Sequence, residues 1–205
     1  DLLNIVSSSV GSLTNPNKLS NSFRSIKNLT VAPATIKQYL DGCVDSFLIR
    51  KANRYDVKGK RYIDTPLKYY FTDIGLRNVR LGFRQQEESR IMENIIYNEL
   101  VNRGYQVDVG MVSTSEKNEN ENYVRKQLEV DFVCNLGYER IYIQSALNID
   151  DAAKKQQEER SLIRIDDSFR KVIVVRSNIR KWKDENGILI LGLKEFLTCP
   201  DAIKS

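Results

Sequence analysis

The chain has 205 residues, 32 Lys and Arg against 27 Asp and Glu, a formal charge of +5 and 41% hydrophobic residues. This is enough for one large or two small domains with a core, and no apolar run approaches the ~20 residues a membrane span needs. Histidine is absent, which excludes Ser-His-Asp or Cys-His catalysis and His-ligated metal, and Cys43, Cys134 and Cys199 form no CxxC pair, so neither a cysteine zinc site nor a disulfide framework is indicated.

The charge is uneven along the chain. Residues 1–80 carry 13 Lys and Arg against 6 Asp and Glu, and residues 81–205 carry 19 against 21. Two modules are expected, 1–80 and 81–205. The basic one is a candidate for nucleic-acid contact, with a simply solubilised surface as the competing reading. The chain opens at Asp1 without Met, and no basic segment precedes its first apolar run. A fragment of a longer, cytoplasmic polypeptide is the expectation.

In chain order, Asp1–Leu13 reads as the end of a helix stopping near Gly11. Asn15 caps the next helix with Pro16 in its first position, and Leu19, Phe23 and Ile26 form its apolar stripe. After a turn, Pro33 opens a second helix with Ile36, Tyr39, Leu40 and Cys43 inward. Residues 45–52 pass from helix end into strand. Arg54–Tyr62 is a hairpin around Lys58-Gly59-Lys60, and Lys68–Asp73 is a strand. Two short helices followed by a basic hairpin make a winged-helix pattern. Its second helix, carrying Lys37, would enter a DNA major groove, while Arg54, Lys58, Lys60 and Arg61 reach phosphates. Such modules also dock proteins or serve as structural linkers, and all three readings stay open.

Ile74–Arg84 reads as a connection. Glu87–Arg103 is a helix with Ile91, Met92, Ile95, Ile96 and Leu100 on its apolar face, Glu93 at the flank and Gly104 as its stop. Tyr105–Val112 is a strand, and Ser113–Gln127 a polar loop without periodicity. Residues 128–147 form a hairpin turning at Leu136-Gly137. Asp150-Asp151 opens a helix reaching about Arg164. Lys171–Arg176 and Gly187–Leu193 are apolar strands, the first of them interior and parallel, and Leu193–Thr198 is a last short helix. Trp182 reads as a lid on the core, and Tyr123, Tyr138 and Tyr142 as packing residues. The fold class is α/β (α+β): a winged helix followed by a mixed sheet with helices on both faces.

Asp131 interrupts the apolar rhythm of the first hairpin strand and Gln144 that of the second. A carboxylate within an apolar strand costs several kcal/mol (roughly) unless it is paired. In this order Glu93, Asp131 and Gln144 converge on one sheet edge, and two carboxylates with a carbonyl oxygen suit Mg²⁺, which polarises a phosphodiester and activates water. The competing reading is a strand carboxylate bound to a cation or a backbone N–H, beside a solvated helix Glu.

The order of elements, with Glu93, then EVDFV, then IYIQSA, resembles the core of the PD-(D/E)XK nucleases. Over the whole chain, SLTNPNKLSNSF, RYDVKGKRYIDTPLKYYFTDIGLRN and IMENIIYNELVNRGY together with those strands resemble the C-terminal region of a prokaryotic AAA+ ATPase family, a winged helix followed by a PD-(D/E)XK-like domain. The resemblance implies Mg²⁺ or Mn²⁺ held by Glu93 and Asp131, with Gln144 as the third catalytic position. It also implies double-stranded DNA and the upstream ATPase domain of the same protein as partners. Ala146 stands where that motif carries its lysine, so the resemblance implies a degenerate, inactive site unless Lys154 or Lys155 reaches in. The only Gly-Lys, Gly59-Lys60, sits in a hairpin without the phosphate-loop spacing, so ATP is expected only upstream. Three functions follow: a DNA-associated module, a regulatory docking module of the ATPase, or an active Mg²⁺ nuclease with a migrated lysine.

Overall fold

The computed structural model describes residues 2–84, 87–117 and 122–204. Its contacts divide the chain into two compact units, one of Asp1–Asn53 with Asp64–Asn98 and the other of Arg54–Ile63 with Glu99–Ser205. The architecture is mixed α/β, with eight strands hydrogen-bonded in the order β2-β1-β3-β4-β5-β6-β8-β7. None of the described helices is long and apolar enough to cross a membrane.

The first unit holds α1 (Leu2–Ser8), α2 (Pro16–Lys27), α3 (Pro33–Asp45) and α4 (Ile74–Arg80), together with most of β1 (Ile49–Asp56), β2 (Arg61–Phe71) and α5 (Glu88–Asn102). The Asn15 side chain accepts from the Lys18 amide and Pro16 takes the first helical position, as the sequence predicts. Leu19 and Phe23 on α2 and Ile36 and Leu40 on α3 are buried at i,i+4 spacing, whereas Ile26 and Tyr39, expected inward, are exposed. Residues 74–84 are not a plain connection. Asp73 caps the helix α4 by accepting from the Gly75 and Leu76 amides. Its Arg77, 1% exposed, donates from Nε to the Ser7 carbonyl, and Arg90 donates to that of Ser8. Two guanidinium groups therefore satisfy carbonyls at the C-terminal end of α1 that the helix leaves open.

The second unit is built on β3 (Gln106–Lys117), β4 (Tyr123–Leu136), β5 (Glu139–Ala146), β6 (Arg170–Val175), β7 (Trp182–Lys183) and β8 (Leu189–Gly192), with α6 (Ala152–Ile163) and α7 (Leu193–Thr198). β6 runs parallel to both β5 and β8, and its Val172–Val175 are all buried, as a continuous apolar run requires. Leu162 of α6 packs into a cluster with Tyr142, Ala146, Ile173, Val175 and Ile190. The hairpin turns at Gly137-Tyr138, one residue later than predicted, with Gly137 at φ +58°.

Residues 113–127 are largely strand rather than loop. β3 and β4 pair from Ser113↔Gln127 to Lys117↔Tyr123, and residues 118–121 fall outside the described ones. Apart from Tyr123 and Val124 this arm is built of polar residues, so it lacks the alternation by which strands are read. Cross-strand polar contacts hold it instead: Glu116 binds Lys126 at 3.0 Å across the diagonal, and Arg125 donates to Ser113 Oγ at 3.4 Å.

β4 carries a bulge at its centre. Asp108 pairs with Val133 and Gly110 with Val130, so Asp131 and Phe132 together oppose the single residue Val109. A two-against-one bulge reverses the face on which later side chains lie. Val130 and Val133 consequently both crowd Gly110, where an added Cβ would stand 2.9 Å from Val130 Cβ and 2.8 Å from Val133 Cγ2. Gly110→Ala is therefore expected to destabilise the second unit by about 1–3 kcal/mol through overpacking. Urea unfolding of the variant beside the parent checks this.

Candidate functional site

Glu93 lies in the first unit, Asp131 and Gln144 in the second. The Glu93 side chain projects from α5 among residues of β2. Its Oε1 accepts from Lys68 Nζ at 2.8 Å and from the Tyr70 hydroxyl at 2.6 Å. Lys68 is 2% exposed and Tyr70 fully buried, and the other carboxylate oxygen lies against Gly11, where a Cβ would approach it to 3.1 Å. A buried ammonium of this kind demands a counter-charge, and Glu93 supplies it. The next residue continues the seam. Asn94, 0% exposed, accepts from the Phe71 amide at 2.9 Å and donates to the Phe71 carbonyl at 2.8 Å, and Asn98 donates to the same carbonyl. Tyr97 stacks on Tyr70 with ring centroids 4.1 Å apart. One helix face thus satisfies the backbone and side chains of β2. The signal for it in the sequence was Asn94 itself, an amide between Ile91 and Tyr97 on an apolar face.

Asp131 and Gln144 come together where β4 and β5 part. The pairing of these strands begins at Phe132↔Ile143 and runs toward the turn. On its other side the two side chains replace the ladder. Asp131 Oδ2 accepts from the Ser145 amide at 2.8 Å, and Gln144 Oε1 accepts from the Asp131 amide at 3.3 Å. Each polar side chain therefore accepts from a backbone N–H of the opposite strand. Gln144 Nε2 reaches Glu158 of α6 at 3.4 Å. Ala146, at the expected lysine position, is 2% exposed within the apolar cluster under α6.

The two lysines expected to replace the missing amine are engaged elsewhere. Lys154 lies 3.6 Å from Asp151, the cap of its own helix. Lys155 lies 3.1 Å from Glu159 and 3.3 Å from Glu185, with its Nζ 5.4 Å from the centre of the Trp182 ring. Trp182 is half-exposed rather than a core lid. Tyr138 and Tyr123 are exposed rather than packed, while Tyr142 is buried and donates to Asp167 at 2.7 Å.

These surroundings do not fit a divalent cation. One Glu93 oxygen faces a buried ammonium and a phenol, and Asp131 Oδ2 holds a backbone N–H. Among the described residues no group of three or more Asp, Glu or Cys is arranged to hold a metal ion.

Burial of Glu158 raises its pKa above the ordinary 4.5, against the smaller lowering by its bond to Gln144. A carboxyl group raised in the folded state favours folding fully below the unfolded value, and that contribution is lost as pH rises through the folded value. Glu158→Gln is therefore expected to flatten the decline in stability of the second unit from about pH 4.5 upward. Thermal midpoints of both proteins between pH 4 and pH 8 check this.

The predicted DNA-contacting residues are placed unequally. Lys37 on α3 is paired with Asp41 at 2.8 Å. Arg54 is only 7% exposed, with Nη2 3.4 Å from Gln127 and a buried Nε that meets no hydrogen-bond partner among the described residues. Arg61 lies 3.8 Å from Asp56. Lys58 and Lys60 are exposed at the hairpin tip.

Residues 1–87 match a family described as a domain of unknown function, DUF8612. An uncharacterized protein of Haemophilus influenzae is 33% identical over 188 residues, which are 92% of this chain and 42% of that relative. The chain thus spans less than half the length of the curated relative it matches. No solved structure matches it.

Proposed function

We propose that this chain is a non-catalytic, DNA-associated module of a longer protein, a winged helix followed by a PD-(D/E)XK-like domain that serves as scaffold. The observation that carries the non-catalytic reading is the fork between β4 and β5. Asp131 and Gln144 there bond strand backbone, and Ala146 is packed where a nuclease needs an amine. Lys58 and Lys60 at the hairpin tip are exposed, which supports backbone contact through the wing. The resemblance to AAA+ ATPase C-terminal regions supports an ATPase domain as the neighbour in the full-length protein, and more than half of the Haemophilus relative lies outside the match.

The test pairs two measurements. Plasmid incubated with Mg²⁺ or Mn²⁺ is expected to show no cleavage beyond that given by Asp131→Ala. A labelled duplex is expected to bind at low salt and to dissociate steeply as salt rises. Cleavage that Asp131→Ala abolishes would overturn the non-catalytic reading, and absence of low-salt binding would overturn the DNA reading.

The α3 face supports a second reading for the first unit, protein docking. Its Tyr39 is 58% exposed and its Lys37 is neutralised within the helix by Asp41. Crosslinking from position 39 to an ATPase domain, unaffected by competing duplex, would favour docking over insertion of this helix into a groove.

A further inference from the structure

We infer that the second unit carries a phosphate-binding concavity beside the free edge of β3, and that it takes the phosphodiester backbone of nucleic acid. This rests on the DNA-associated reading above and gives it a second contact, outside the helix that a winged helix ordinarily inserts.

The concavity, of about 450 Å³, is lined by Lys58, Ser113, Thr114, Ser115, Arg125 and Arg164. Three cations line it together with Ser113 and Ser115, which lie with Arg125 on one face of the β3–β4 arm, and no carboxylate lines it. Among the described residues no carboxylate pairs with Lys58, Arg125 or Arg164; Arg125 instead donates to Ser113 Oγ. The contrast lies next door. Arg160 and Lys126 both bind Glu116, and hydrogen bonds from Arg160 and then Lys126 hold its carboxyl down at about 2. One acid thus engages two neighbouring cations, whereas the three that line the cavity have no such partner among the described residues.

The backbone adds to this. Pairing of β1 with β3 ends at Asp56↔Met111, with a further bond from the Val57 amide to the Met111 carbonyl. Beyond that rung β3 continues beside Lys58 as an edge, paired on its other side with β4. Phosphate oxygens accept from guanidinium groups, ammonium groups, hydroxyls and main-chain amides, which are the donors gathered here. Basic side chains on a strand edge also guard against edge-to-edge pairing. That role needs no concavity, and the experiment separates it.

The test uses the whole chain, with K58Q/R125Q/R164Q beside a control of equal charge, R170Q/K183Q/K194Q, whose cations are exposed elsewhere on the same unit. Each is titrated with a labelled 20-base-pair duplex across a salt series, and each is heated with and without inorganic phosphate. The cavity variant is expected to lose at least about tenfold in affinity at low salt, and its plot of log K against log salt to flatten by about three. The control should stay within about twofold of the parent, and both variants should keep the parent's unfolding midpoint without ligand. Equal weakening in both variants would reduce the effect to net charge and overturn the site. Unchanged duplex binding by the cavity variant, with or without self-association, would also overturn it, and in that case the parent still binds and the DNA-associated reading survives. A phosphate-induced rise in midpoint that the cavity variant loses while its duplex binding is unchanged would assign the cavity to free phosphate species and overturn the backbone assignment. Failure of the parent to bind duplex would fell the DNA reading and this inference together.

Discussion

Glu93→Ala is expected to cost the first unit about 3–5 kcal/mol, the usual effect of removing one partner from a buried ion pair. The reason lies on β2. Lys68 is 2% exposed and its ammonium stands 2.8 Å from the Glu93 carboxylate. The same oxygen receives the Tyr70 hydroxyl. Removal of the carboxylate takes the counter-charge from one group and an acceptor from the other. The double variant Lys68→Met with Glu93→Leu is expected to recover most of the loss, because an apolar pair of similar volume carries no desolvation cost. Denaturant unfolding, with amide exchange of Tyr69–Phe71 to localise the effect, measures both. A metal-ligand role makes the opposite prediction: Glu93→Ala would then leave stability unchanged or raise it, since it would relieve a site built to hold negative charge.

Asp131→Ala is expected to cost the second unit about 1.5–3 kcal/mol, the range for a hydrogen bond to a charged group. The Ser145 amide, 2.8 Å from Asp131 Oδ2, should exchange faster with solvent in that variant. Asp131→Asn retains an acceptor oxygen in the same place and is expected to lose less and to keep Ser145 protected. A difference between Asn and Ala at this position is the mark of a structural acceptor. A metal site would be lost in both, with folding stability little changed.

Much of the fold is legible in the chain. Asn15-Pro16 marks the start of α2, Asp151 the start of α6, and the unbroken apolar run of β6 marks an interior parallel strand. What escapes depends on partners distant in sequence. The bulge at Asp131-Phe132 exists only relative to Val109; read alone, β4 shows an alternation that the bulge in fact reverses. The partners of Glu93 lie 23 and 25 residues before it, so its spacing on α5 shows only that it flanks the apolar face. The paired arm of β3 and β4, residues 113–117 and 123–127, carries no apolar period, and polar cross-strand contacts hold it. The candidate site divides in the same way. Asp131 and Gln144 were visible as two polar residues in apolar strands, and they do meet, but the groups they bind are backbone amides, which no side-chain pattern reveals.

Asp131 serves either the strand backbone or a metal ion, and the amide of Ser145 reports on this directly. In an NMR titration of the protein with Mn²⁺, the Ser145 and Asp131 amides are expected to keep their protection and show no saturable paramagnetic broadening. Saturable broadening centred on those two amides, abolished by Asp131→Asn, would contradict the account and restore a metal centre to the fork between β4 and β5.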